Sequence, residues 1–198
     1  IADADKTLRP FPNFKPWFRF PFLSEGDTLE KRDAVRAGLR DMGYAQGYVT
    51  VDDYDWYLDA AANTAVKAGK KIDREGLRDL YVDVLMDCIE FYDRVAVKTL
   101  GRSPRHVLLL HENDLAAYFI GDLVAALRAK GWTIITPEAA FDDPIARIEP
   151  DTLFLGQGRV AAIAHTKGMK PRELVPESEE ERLLDMWFAE RVLHEPHP

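Results

Sequence analysis

Tyr48-Val49-Thr50-Val51-Asp52-Asp53-Tyr54-Asp55-Trp56 passes from four residues suited to a strand directly into three carboxylates and an indole. An Ala-rich helical stretch follows, from Tyr57 to Lys67, with Gly69 beyond its end. An apolar run that ends in acids just before a helix marks a strand-to-helix junction. In an α/β fold, the carboxyl ends of parallel strands are where functional side chains are exposed. Two other segments repeat this arrangement. Upstream, Trp17-Phe18-Arg19-Phe20 reads as a short buried strand closed by Pro21, and downstream Val107-Leu108-Leu109-Leu110 ends in His111. The downstream run is short and uniformly apolar, as a strand buried on both faces of a parallel sheet would be.

Outward from these junctions the chain alternates. Asp27 or Thr28 can cap a helix carrying Leu29, Ala34, Val35, Leu39 and Met42, which Gly43 stops. Asp73 caps a long helix to about Leu100, with Leu77, Leu80, Tyr81, Val84, Leu85, Cys88, Ile89, Tyr92 and Val95 at helical spacing. Asn113 or Asp114 caps another, running to Lys130. Trp132-Thr133-Ile134-Ile135 is expected as a fourth strand, and Pro137 starts a short helix. Strands alternating with one-faced helices are read as βαβ units of an α/β fold, hence a parallel sheet or barrel. Ser178 can cap a last amphipathic helix through Leu193, with the Glu177–Glu181 acids favourable at its N-terminus.

The totals exclude several classes. With 198 residues, 46% hydrophobic and 30% charged, the chain can bury one sizeable core. A net charge of -8 argues against nucleic acid or an anionic membrane as a partner. The lone Cys88 excludes an intrachain disulfide and reads as a small buried hydrophobe. No apolar run is long enough to span a bilayer, so no membrane span is expected. Ile1 to Leu8 resembles the tail of a helix begun earlier, and upstream sequence is expected.

Each candidate residue has an ordinary structural explanation. Arg19 could be a snorkelling or ion-paired arginine. One of Asp52, Asp53 and Asp55 could be a helix cap, and His111 could be a satisfied core histidine. Together they can orient a base, tune an acid and shape a pocket.

They also carry a resemblance. Arg19-Phe20-Pro21-Phe22 resembles the Arg-x-Pro-Tyr motif of the polysaccharide deacetylases, the NodB-type carbohydrate esterases. Asp52-x-x-Asp55-Trp56 is similar to their Asp-x-x-Asp-Trp motif and Leu109-Leu110-His111 to their Leu-x-His motif. Order and spacing agree from about Phe18 to Pro137. The resemblance implies a distorted (β/α) barrel that hydrolyses acetyl groups on sugars such as N-acetylglucosamine, with a divalent metal, usually zinc. It divides the chain into the C-terminal part of such a barrel (1–150) and an extension (151–198) whose helix packs on the same domain. By that resemblance His111 protonates the leaving amine, and Asp55, or less well Asp52, holds its ring. Arg19 orients the base, and the N–H of Phe22 helps hold the oxyanion. Trp56 and Leu109 line the acetyl pocket. The family's Tyr is Phe22 here, so one hydroxyl is missing.

The family's Thr-Phe-Asp-Asp-Gly and His-x-x-x-His motifs, which supply the base and the metal ligands, are absent from this sequence. Metal ligands are therefore expected upstream of Ile1, in an N-terminal half of the barrel that counts as a partner alongside the acetylated glycan. The resemblance also implies a periplasmic or secreted protein. Phe141-Asp142-Asp143-Pro144 and His194-Glu195-Pro196-His197 imitate the missing motifs, but the first ends in Pro and the second is one residue too short. Two other readings are a non-catalytic carbohydrate-binding or scaffold protein, and a metal-free hydrolase pairing Asp52 or Asp55 with Glu112.

Overall fold

In chain order the helices are α1 (Ala2–Leu8), α2 (Leu29–Asp41), α3 (Asp55–Lys67), α4 (Arg74–Leu100), α5 (Asp114–Ala129), α6 (Pro137–Phe141), α7 (Gly158–Thr166) and α8 (Glu181–Phe188). The strands are β1 (Trp17–Phe18) and β2 (Ala45–Gln46). These come from a computed structural model, which describes residues 1–195.

The extended segments lie side by side in parallel. Trp17 stands opposite Ala45 and Phe18 opposite Gln46, while Val51 bridges Leu108. Parallel pairing requires a crossover; α2 supplies it between β1 and β2, and α3 with α4 between Val51 and Leu108. The ladders are shorter than the sequence suggests, for a local reason. Thr50 Oγ1 takes the N–H of Val107 at 2.8 Å, and the Val49 carbonyl takes the N–H of Arg159 at 2.8 Å. A side chain and a helix start thus occupy groups that a continuous ladder would use. Tyr48–Val51 is nonetheless buried throughout, whereas Val107–Leu110 is only half-buried. Trp132–Ile135 forms no ladder among the described residues, and Ile134 and Ile135 are exposed.

Behind these segments lies α4, 27 residues long. The Asp73 carboxylate accepts the N–H groups of Glu75 and Gly76 at its start, and Gly101 closes it in the left-handed conformation, φ 74°. Its apolar positions cover more than one face. They pack against α5, α7, α8 and the π-helical turn Ala189–Leu193. Leu80, Tyr81, Leu85 and Tyr92 are inaccessible to solvent, and each such leucine contributes about 1.5–3 kcal/mol by burial. Gly76 is required here, because a Cβ would sit 2.0 Å from the Arg191 carbonyl oxygen. Val160, Leu174, Leu184 and Val192 enter the same core, so the C-terminal segment is built into it.

Two capping choices resolve and one fails. Thr28 and Asn113 cap α2 and α5. Ser178 does not cap α8, whose N-cap is Glu180. Instead Ser178 is buried and donates to Asp87 Oδ2 at 2.8 Å, so contact with α4 outweighs the local cap. Glu179 is likewise buried and does not simply lie as solvated charge at a helix end. Among the described residues, no helix is long and apolar enough to cross a membrane.

Candidate functional site

The three sequence motifs line one cleft of about 680 Å³. Arg19 and Phe22 from the first motif, Asp52 and Trp56 from the second, and Leu109 and His111 from the third all line it. Tyr54, Gly156 and Gln157 complete the rim.

The best-defined corner is His111. Its Nδ1 lies 2.6 Å from Asp55 Oδ1, and its backbone N–H donates to Asp55 Oδ2 at 2.9 Å. Asn113 Nδ2 donates to the same oxygen at 3.2 Å, while Asn113 Oδ1 caps α5 through the N–H of Ala116. Asp55 is fully buried as the first residue of α3, where the helix dipole favours a negative charge. With both Asp55 oxygens accepting, the neutral ring keeps its proton on Nδ1. Nε2, which has no partner among the described residues, is left for the cleft. The His111 side chain is 48% exposed, so the ring is anchored at one edge and open at the other.

The other two acids differ. Asp53 Oδ1 accepts the N–H of Asp55 at 2.9 Å, so it is the local turn-forming residue of the three. Its Oδ2 is buried without a partner, and burial raises its pKa well above the usual carboxylate range. Asp52 lines the cleft but makes no hydrogen bond to His111. Burial pushes it up to about 6.

Arg19 donates from Nε to the Gly47 carbonyl at 2.9 Å. Among the described residues it forms no ion pair, although burial depresses its pKa. A guanidinium held in this way is suited to an anion arriving in the cleft. Beside it the chain turns sharply. Phe22 (φ 54°) and Leu23 (φ 53°) are both left-handed, a conformation that costs non-glycine residues about 1–2 kcal/mol each. Phe22 is 95% exposed, so no packing of its ring offsets this. Trp56 is braced by Tyr54 and Tyr57, with ring centroids 5.2 and 5.7 Å away.

The imitating motifs have structural roles. Asp143 accepts from both Nη atoms of Arg102, at 2.5 and 2.9 Å, and caps the turn Pro144–Arg147. His194 contacts Asp73 at 3.0 Å, and the Pro196-His197 part of its motif lies outside the described residues. Glu112 is exposed and does not line the cleft. Sequence reasoning missed Asn113 as a ligand of Asp55, having read only its cap. It also missed Gln157, which no motif marks. Among the described residues, no group of three or more His, Cys, Asp and Glu side chains is placed to hold a metal. No family model, curated protein or solved structure matches the chain.

Proposed function

We propose that this chain is the C-terminal part of a polysaccharide deacetylase of the NodB type, on a distorted (β/α) barrel, removing acetyl groups from an N-acetylglucosamine-type glycan. The observation that carries the reading is the 2.6 Å contact between His111 Nδ1 and the buried Asp55 carboxylate, with the open edge of the ring on the cleft that Arg19, Trp56 and Leu109 also line. The described residues do not supply a ligand set for the metal that the resemblance implies, so its ligands would come from upstream.

This chain's own residues handle the leaving group and the carbonyl. Asp55 fixes the ring and stabilises its protonated form, so that Nε2–H can be given to the departing amine. Arg19 pairs with the carboxylate base delivered from upstream and sets its direction. The backbone N–H of Phe22 faces the carbonyl oxygen as it gains charge, and Trp56 and Leu109 enclose the acetyl methyl. By itself the chain is expected to be inactive.

The test is His111→Ala in the full gene product, assayed on an N-acetylglucosamine oligomer. Loss of a general acid predicts a kcat fall on the order of 10²–10⁴; unchanged turnover removes His111 from the reaction. The exposed rings of Phe22 and Trp56 on the cleft also suit a carbohydrate-binding protein without catalysis. Zinc titration of the same protein separates the two, since only the enzyme requires a tight site.

A further inference from the structure

We infer that Gln157 is a substrate-binding residue of this cleft, its side-chain amide nitrogen donating a hydrogen bond to a hydroxyl or ring oxygen of the glycan. The sugar identity of that ligand rests on the deacetylase reading; the placement of Gln157 does not.

Gln157 stands immediately before α7, at a point fixed from three directions. The N–H of Gly158 donates to the Leu155 carbonyl at 3.0 Å, closing the turn. Gly158 is left-handed, φ 78°, and a Cβ there would lie 3.1 Å from the Val49 carbonyl oxygen. Only glycine therefore allows so close an approach, and the next N–H, that of Arg159, uses it to donate to Val49 at 2.8 Å. The Arg159 guanidinium then donates to the Ile145 and Ala146 carbonyls and lies 4.2 Å from the centre of the Tyr48 ring. The start of α7 is thus fastened to the segment that ends in Asp52.

The side chain is held from within. The Tyr92 hydroxyl, on a side chain inaccessible to solvent, bonds Gln157 Oε1. Tyr92 has one proton and three acceptors in reach, the others being Glu179 Oε1 at 2.9 Å and the Leu174 carbonyl at 3.3 Å. An uncharged Glu179 resolves the surplus: its O–H donates to Tyr92 Oη, and the Tyr92 proton goes to Gln157 Oε1. Burial does hold Glu179 in its neutral form, pushing it up to about 8. With Oε1 engaged, the amide nitrogen is what Gln157 can offer. That nitrogen has no protein acceptor among the described residues, and the residue lines the cleft. A long side chain ordered before binding loses little rotamer freedom when the ligand arrives.

The experiment measures kcat and KM of the full gene product, metal-loaded, on the N-acetylglucosamine tetramer. Gln157→Met keeps length and loses the amide; Gln157→Asn is a second variant should the first fold poorly. KM is expected to rise about 5–10-fold with kcat within twofold, the mark of a contact made equally in the ground and transition states. Tyr92→Phe, which frees the amide without removing it, is expected to raise KM less. A KM within twofold of wild type in a variant with unchanged Tm overturns the inference, as does a loss that only follows the fraction of folded protein. Failure of the deacetylase reading looks different: the wild type itself neither binds nor hydrolyses the tetramer, and the inference falls with it.

Discussion

The two sides of the cleft are built on opposite terms. At the His111 corner every group but one has its partner: the Asp55 carboxylate receives three contacts, from the imidazole, a backbone N–H and Asn113. At the Arg19 wall the guanidinium keeps a single hydrogen bond among the described residues, to Gly47, and Phe22 and Leu23 sit in left-handed backbone. The first side is finished within this chain. The second carries unused charge and backbone strain, which natural structures keep where something binds. On the proposed function, the acid is prepared here and the base and its surroundings are brought from elsewhere.

The largest effect should come from disturbing the finished side. In Asp55→Asn the amide oxygen must face the His111 N–H and Asn113, because both are donors. The amide NH₂ then faces Nδ1, which becomes an acceptor and moves the ring's proton to Nε2. The shape survives while the ring's charge support is lost. In the full gene product kcat is expected to fall roughly 10²-fold, with KM little changed. A fall no greater than that of an exposed control such as Glu112→Gln would mean that the corner is structural.

That corner was legible in sequence because its chemistry is local. An Asp at a helix start and a His at the end of an apolar run are visible as residue types beside element boundaries. The three flanking motifs converge on one cleft as the spacing suggests. What stayed hidden depends on contacts across long separations. The Tyr48–Val51 strand shrinks to one bridge because Thr50 and Arg159 compete for its neighbours, and Arg159 is more than a hundred residues away. Ser178 looks like a cap until α4 claims it. Gln157 has no motif, and only its Tyr92 contact distinguishes it. Ile134 and Ile135 read as a strand but stand exposed, without a ladder among the described residues.

The acids beneath the cleft provide a second test. Asp52 rises from 3.8 to about 6 and Glu179 from 4.5 to about 8, chiefly through burial. Both groups bind protons more tightly folded than unfolded. Stability should therefore be greatest below the unfolded values and decline as pH rises, through about 6 for Asp52 and about 8 for Glu179. At ~1.4 kcal/mol per pKa unit, the part of that loss falling between pH 5.5 and 8.5 is on the order of a few kcal/mol. Denaturant melts at pH 5.5 and 8.5 are expected to show the wild type weaker at the higher pH. Glu179→Gln should reduce that slope, leaving the share that the buried Asp52 and Asp53 carry, and be the more stable protein at pH 8.5. A slope unaltered by the substitution would place the titrating group elsewhere.

The smallest effect bears on the unfinished side, and its sign is what makes it informative. Phe22 holds φ 54° with a ring that is 95% exposed. Gly at this position keeps the backbone N–H, removes the Cβ clash and forfeits almost no buried area. It also adds unfolded-state freedom, which offsets part of the gain. Phe22→Gly is thus expected to leave stability unchanged or raise it by up to about 1 kcal/mol, against the usual loss for glycine outside a turn. If the wall acts through its backbone, kcat should stay within about threefold, since the donor remains. A tenfold loss of kcat with intact stability would instead give the role to the ring, and the proposed backbone contact to the carbonyl oxygen would have to be abandoned.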